Sequence, residues 1–503
     1  MNRFAIAAVL LLASMLPVTR ADAARHRHPK PAPSHTIVVT GYRARVLATA
    51  ERGSLRSAWT QYAPGGGIEA RAVVEGAGCP QIFIDLKSTV MQQRAASDTK
   101  YLTECWTPIP LGTNQVAIAF RRFDHPPPPV GASDAVVNAW MQSEFGIPTP
   151  GPDATGPEWL AWSDVVERNT KYDVVPLPLP TGDPHRIVVL GDTGCRIKGS
   201  LLQDCSDMAK WPFARIAAEA ARLRPDLVIH VGDYLYRESA CPANTAGCAG
   251  TPFGDNWPTW DADFFTPAKP LLAAAPWVIV RGNHEDCTRA GPGWLRLLGP
   301  QTYDPAAPCA SHLAPYTVPL GGLDLVVMDN ADAPDTSVAE ASIPIYRGEL
   351  AGLASARPPT WLVLHRPIWA AGEAILGVPG GGNLTMITAD GTNGIPAPVE
   401  LMLAGHIHTF EALNYATTPR VPPQIVAGFG GDMLDETPSN LRGTVFQGSS
   451  GVRVTDGLSI GGFGFLLMTK AGDGWTVDVH DWQGRIERQC VFRAGRVDCP
   501  KPH

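Results

Sequence analysis

The chain has 503 residues, 45% of them apolar and 18% charged, and a formal net charge of −7 at neutral pH. That composition excludes a predominantly disordered chain, and the mild negative charge argues against a dedicated nucleic-acid-binding surface. The length exceeds one average domain, so two are expected, and 50 glycines with 48 prolines predict many loops between short elements.

Residues 1–23 read as an export signal. Asn2-Arg3 gives a basic start, Phe4 to Leu16 an apolar run, and Ala21-Asp22-Ala23 a small-x-small cleavage site. The run is shorter than the roughly 20 apolar residues a spanning helix needs, so no stable membrane anchor is expected. The mature protein is expected in the periplasm or outside the cell. The ten cysteines agree with that compartment, because an even number in an oxidising medium is expected to pair. Pairing sequential neighbours is the simplest arrangement, since each bond then closes a short loop. No C-x-x-C spacing occurs, which argues against a structural zinc site.

Residues 24–36 hold three prolines and scattered basic groups, and read as a linker; His26, His28 and His35 have nothing there to fix a coordination geometry. From 37 to 180 short β-branched runs at 37–40, 81–86 and 115–120 predict a smaller β-rich N-terminal domain, stapled by Cys79 and Cys105. Asp124 to Val130 is a polyproline-like segment, and a connector with Trp140, Trp159 and Trp162 follows it. From 181 to 503 strands alternate with helical patterns. Residues 213–223 form an amphipathic, Ala-rich helix before a strand at 227–231, and further strands are expected at 324–328 and 424–427. The turn Ala471-Gly472-Asp473-Gly474 joins a terminal hairpin.

Five apolar runs, at 186–190, 227–231, 277–280, 361–364 and 400–404, read as buried strands, and each leads into a polar motif. The motifs are Gly191-Asp192-Thr193-Gly194, Gly232-Asp233-Tyr234-Leu235-Tyr236, Gly282-Asn283-His284-Glu285, Leu364-His365 and Gly405-His406-Ile407-His408. Singly, each is an ordinary turn or strand-end residue. Jointly they place carboxylate, amide and imidazole donors at strand ends, where open α/β sheets bind ligands. Two cations about 3.5–4 Å apart need a bridging carboxylate with oxygen and imidazole ligands on both sides. Mixed oxygen and nitrogen donors suit iron, manganese or zinc better than calcium.

The series resembles the calcineurin-like metallophosphoesterases, whose pattern is D-x-H, G-D-x-x, G-N-H-[DE], a lone His and G-H-x-H. The likeness spans Gly191 to Glu411. One departure is informative, because Gly194 stands where the first-motif histidine is usual. The purple acid phosphatase branch also lacks that histidine and takes a tyrosinate from G-D-x-x-Y, which is Tyr236 here. The resemblance implies a four-layer αββα sandwich behind the β-rich N-terminal domain. It implies a ferric ion on Asp192, Asp233, Tyr236 and His408, and a divalent iron, zinc or manganese ion on Asp233, Asn283, His365 and His406. Tyr236 as an aromatic lid beside two divalent ions is the other reading.

The implied chemistry is hydrolysis of a small phosphorylated substrate by metal-activated water, monoesters favoured, with Asp233 bridging. His284 would hydrogen-bond the phosphoryl group or protonate the leaving group, or else support a neighbour. Glu285 would orient a ligand, and Arg366 would contact phosphate or form a structural ion pair. A phosphodiesterase or nucleotidase on the same site, and a non-catalytic surface-binding scaffold, are the alternatives. Segments at 241–260, 367–398 and 439–464 are expected around the pocket.

Overall fold

A computed structural model describes residues 55–500, apart from 77, 86, 127, 129–131, 152, 372–381, 439, 447, 449 and 450. The expected export signal, the 24–36 linker and the run at 37–40 lie outside the described residues, as does part of the 367–398 rim segment. The five expected strands are present as Arg186–Leu190, Leu227–His230, Trp277–Ile279, Thr360–Val363 and Val399–Ala404, and the expected helix as Phe213–Arg222.

Two large mixed sheets carry these strands. The first has eleven strands, with Arg186–Leu190, Leu227–His230 and Trp277–Ile279 as parallel neighbours. The second has seven, with Asp324–Val327, Thr360–Val363, Val399–Ala404 and Gln424–Ala427 parallel at its centre. Strand residues alternate between faces, and both faces here are covered. Ile187 and Val189 join the core between the sheets, together with Val363, Leu401 and Leu403 of the second sheet. Val188 and Leu190 point the other way, onto Phe213, Ile216, Phe264 and Leu271 of a helical layer. On the outer face of the second sheet, Leu362, Met402 and Val426 pack with Tyr346, Leu350 and Met386 of another. Helix, sheet, sheet, helix is the αββα order expected. Burial on both faces explains why these strands are continuous apolar runs; truncating Leu403 to alanine would cost about 2–5 kcal/mol.

Among the described residues, 132–169 form one compact unit, and 55–128 with 170–500 form the other. Leu55–Tyr62 pairs parallel with Trp277–Ile279, and Ile68–Val74, Thr103–Ile109 and Gln92–Ala95 extend the eleven-stranded sheet from there. Polar groups fasten these strands to the last turn of the helix Gly291–Leu297 and the chain just after it. Arg94 donates to the carbonyls of Leu295, Arg296, Gly299 and Gln301, and Arg296 pairs with Glu104 at 2.7 Å. The β texture of this region was legible in the sequence, but a period-2 pattern cannot say which distant strand it will pair with. A separate four-stranded antiparallel sheet, Lys87–Val90, Gln81–Ile84, Val116–Arg122 and Lys171–Leu177, completes the β-rich region. In the smaller unit, Asp134–Phe145 and Gly156–Asn169 are helices, with Trp140 edge-on to Phe145 and Trp159 edge-on to Trp162.

All five disulfides join sequential neighbours: Cys79–Cys105, Cys195–Cys205, Cys241–Cys248, Cys287–Cys309 and Cys490–Cys499. Among the described residues, no helix is long and apolar enough to cross a membrane.

Candidate metal centre

Parallel strands deliver their C-terminal ends to one edge of a sheet, and here both sheets do so at the same place. Asp192, Asp233 and Asn283 leave the ends of three neighbouring strands of the first sheet. His365, His406 and His408 follow two neighbouring strands of the second. The turns are tight. Asp192, Asp233 and His406 have φ of 57°, 60° and 72°, a left-handed region that non-glycine residues rarely adopt outside sites whose surroundings fix them. Each follows a glycine. At Gly232 a Cβ would lie 2.4 Å from His365 Nδ1, so the backbone must be bare for that imidazole to seat.

The donor atoms gather in two sets that share one oxygen. In the first, Tyr236 Oη lies 3.0 Å from Asp192 Oδ1, 2.8 Å from Asp233 Oδ2 and 3.1 Å from His408 Nε2. His408 Nε2 is also 3.3 Å from Asp192 Oδ1. In the second, His365 Nε2 lies 3.2 Å from the same Asp233 Oδ2 and 2.9 Å from Asn283 Oδ1, and His406 completes a compact group with Asp233 and His365. All seven expected ligand residues are therefore brought together. Gly194 accounts for the missing first-motif histidine: a Cβ there would lie 2.6 Å from Tyr234 O and 2.9 Å from the Tyr236 ring and amide. The tyrosine fills the space that a side chain at 194 would need.

The imidazoles are oriented from behind. His365 Nδ1 donates to Val231 O at 2.8 Å and His408 Nδ1 to Met433 O at 2.6 Å, which turns Nε2 of each toward the other donors, where a cation could replace its proton. His406 is held the other way round, its Nε2 2.9 Å from Asp335 Oδ2, so Nδ1 is its free nitrogen. Glu285 accepts backbone N–H bonds from Gly282, Asp233, Tyr234 and Leu235 at 2.8–3.1 Å; it clamps the loop that carries Asp233. Arg366 forms an ion pair with Asp335 and donates toward Ala331 O at 3.4 Å. It stands beside His406, with Nη1 3.2 Å from Nε2. His284 lies against Tyr236, ring centroids 3.7 Å apart, with Nε2 3.8 Å from Asp233 Oδ2.

Several partners had no distinct signature in the sequence. Glu238 sits 2.8 Å from His284 Nδ1, and Arg289 contacts both of them. Asn330 accepts from the His365 and Arg366 amides at 3.2 and 3.1 Å. Arg196 lies over the Tyr236 ring, 5.0 Å from its centroid, and pairs with buried Asp432. Glu238, Arg196 and Arg289 lie within a few residues of the motifs but in no recognisable spacing, whereas Asn330 and Asp432 come from loops far away in the chain.

The electrostatics fit cations. Burial resists ionisation of Asp233, yet the His365 and His284 imidazoles hold its carboxyl well below the usual carboxylate range. Burial lowers His365, but Asp233 overrides it and pushes the imidazole up to about 9; Asp432 and Asp192 likewise carry His408 to about 10. Tyr236 moves well above the usual phenol range, by burial first and then by Asp192 and Asp233, with Arg196 opposing. Without a cation this buried cluster keeps its protons to offset its own negative charge. Three hard oxygen donors and one imidazole around Tyr236, and mixed oxygen and nitrogen donors around His365, are donor sets that metal ions satisfy.

The family model of the calcineurin-like phosphoesterases matches residues 185–410. Those residues are a calcineurin-like phosphoesterase domain. The domain and its surroundings are similar to purple acid phosphatase 23 of Arabidopsis thaliana, 23% identical over 281 residues, which are 52% of this chain and 56% of that relative. The chain thus spans little more than half the length of that relative. The fold of the chain is also similar to that of a purple acid phosphatase from yellow lupin (Lupinus luteus) seeds, with a TM-score of 0.52 at 13% identity over 90% of this chain and 78% of that one.

Proposed function

We propose that the chain is an exported binuclear-metal hydrolase of small phosphate esters, monoesters favoured. The observation that carries this reading is Asp233 Oδ2, which lies between two complete donor sets, 2.8 Å from Tyr236 Oη and 3.2 Å from His365 Nε2. On this reading Asp192, Asp233, Tyr236 and His408 hold a ferric ion, because a phenolate and two carboxylates are hard anionic donors. Asp233, Asn283, His365 and His406 hold a divalent iron, zinc or manganese ion. Bound there, the cations supply positive charge to the phosphoryl oxygens and lower the pKa of a water molecule.

The remaining work falls to side chains. Glu238 and Arg289 hold the Nδ1 edge of His284, so its Nε2 edge is turned toward Asp233. That edge is placed to hydrogen-bond a phosphoryl oxygen or to hand a proton to the leaving group. Glu285 keeps the Asp233 turn rigid, and Arg366 steadies Asp335 and through it His406. Five disulfides support an oxidising compartment.

The test combines metal analysis, a visible spectrum and hydrolysis of p-nitrophenyl phosphate. Two metal ions per chain and a tyrosinate-to-ferric band that disappears in Tyr236→Phe are expected, and Asp233→Asn should lose metal and hydrolysis together. Retained hydrolysis in Asp233→Asn refutes the reading; a colourless, fully active protein with two zinc or manganese ions refutes the iron assignment alone.

A further inference from the structure

His230 is the one polar residue in the otherwise apolar run Leu227-Val228-Ile229-His230-Val231, and the proposed chemistry leaves it unused. It is fully buried, stacked on Tyr234 and Trp277 with ring centroids 4.0 and 6.2 Å away, and edge-on to Phe264. An apolar ring would fill that place as well. An imidazole there costs free energy unless its nitrogens find partners, and both do. The Gly232 amide donates to Nδ1 at 3.3 Å, so the neutral ring carries its proton on Nε2, which donates to Thr193 Oγ1 at 3.0 Å.

These two bonds join the turns that present Asp192 and Asp233. The parallel pairing of Arg186–Leu190 with Leu227–His230 continues beyond the strands, since Asp192 N donates to Gly232 O at 2.9 Å and Thr193 N to Asp233 O at 3.1 Å. The imidazole crosses that ladder diagonally, from the residue before Asp233 to the residue after Asp192. A diagonal link opposes slip of one turn along the other. Slip would change the separation of the two carboxylates, and metal donors need to be held to about 0.5 Å.

We infer that His230 is a positioning residue of the metal centre: through Thr193 it locks Asp192 against Asp233, and so sets the affinity of the Tyr236 donor set, to which both aspartates belong. The His365 set has Asp233 alone and depends on the lock less. This rests on the two-metal reading. Groups that orient metal donors from outside contribute about 10–100-fold in affinity.

The experiment titrates the metal-free protein with zinc ions and follows two binding phases. Asp192→Asn identifies the phase of the Tyr236 set, because Asp192 belongs to that set only. Thr193→Val removes the hydroxyl and keeps the shape, and should weaken that phase about 10–100-fold while leaving the other within about threefold. His230→Phe keeps the stack and should do the same; Thr193→Ser keeps the hydroxyl and should retain the parental affinity. Two unchanged phases in Thr193→Val and His230→Phe, equal weakening of both phases, or a Thr193→Ser protein as weak as Thr193→Val overturns the lock. A parent protein that binds fewer than two zinc ions would instead refute the two-metal reading, and the lock with it, so the two failures are distinct.

Discussion

Glu285→Gln tests the turn that makes Asp233 available. The two carboxylate oxygens take the N–H groups of Gly282, Asp233, Tyr234 and Leu235, two donors to each oxygen. Glutamine keeps the shape but turns one oxygen into an NH2 group, which then faces two backbone N–H donors. Each donor left unsatisfied in this buried place costs about 1–3 kcal/mol, so the change should destabilise the fold by about 2–6 kcal/mol. That is a large share of the 5–15 kcal/mol that typically separates folded from unfolded chains. The turn also holds Asp233 at a φ of 60°, so metal affinity should fall with stability. Denaturant unfolding of the metal-free protein gives the first quantity, and metal titration of the native protein the second. One result would refute the reasoning. Burial, with Asp233 adding to it, pushes the Glu285 carboxyl up to about 8, while its backbone donors pull it down. A glutamine variant within about 0.5 kcal/mol of the parent would mean that Glu285 already carries a proton in the native state and is not the anionic clamp inferred here.

Two further outcomes follow from groups the sequence did not reveal. Glu238→Gln should lower kcat by about 10–100-fold with KM for p-nitrophenyl phosphate and metal content little changed, because it releases His284 without touching a donor; loss of metal instead would assign Glu238 to the scaffold of the centre. His312 Nε2 lies 2.7 Å from Glu349 Oε1, and although burial lowers its pKa, Glu349, Asp329 and Asp332 raise it above the ordinary value. A histidine raised on folding stabilises fully below its unfolded pKa and loses that contribution as pH rises through the folded one. His312→Gln should therefore be less stable by about 1 kcal/mol near pH 5.5, with the difference fading by about pH 9; a constant difference across that range would sink the ion-pair account.

The metal donors were legible because each stands directly after an apolar run, and a parallel sheet brings the ends of such runs together wherever the runs lie in the chain. The order αββα was legible for a related reason, since strands such as Arg186–Leu190 are apolar at successive positions and so need cover on both faces. What stayed hidden depends on long-range pairing. Nothing in Leu55–Tyr62 says that it will lie beside Trp277–Ile279, and nothing in Ala333-Pro334-Asp335 says that its carboxylate will hold His406. Such partners are fixed by the folded shape and carry no local period or spacing.

Gly194 and Tyr236 show where sequence and structure depend on each other most closely. Read alone, Gly194 is a missing ligand and Tyr236 one aromatic residue of two in its loop. In the fold they are one feature, because a Cβ at 194 would lie 2.9 Å from both the Tyr236 ring and its amide. Only a bare backbone at 194 lets the phenol reach Asp192, Asp233 and His408 together, and only a ring at 236 fills the space so vacated. The neighbouring Tyr234 is excluded from that role by its own hydrogen bond, 2.9 Å to Val280 O, and by its stack on His230. The exchange of histidine for tyrosine is therefore a steric consequence of one glycine. A substitution at 194 should disturb the first donor set before it disturbs the second, since His365, His406 and Asn283 make none of the contacts that Gly194 keeps open.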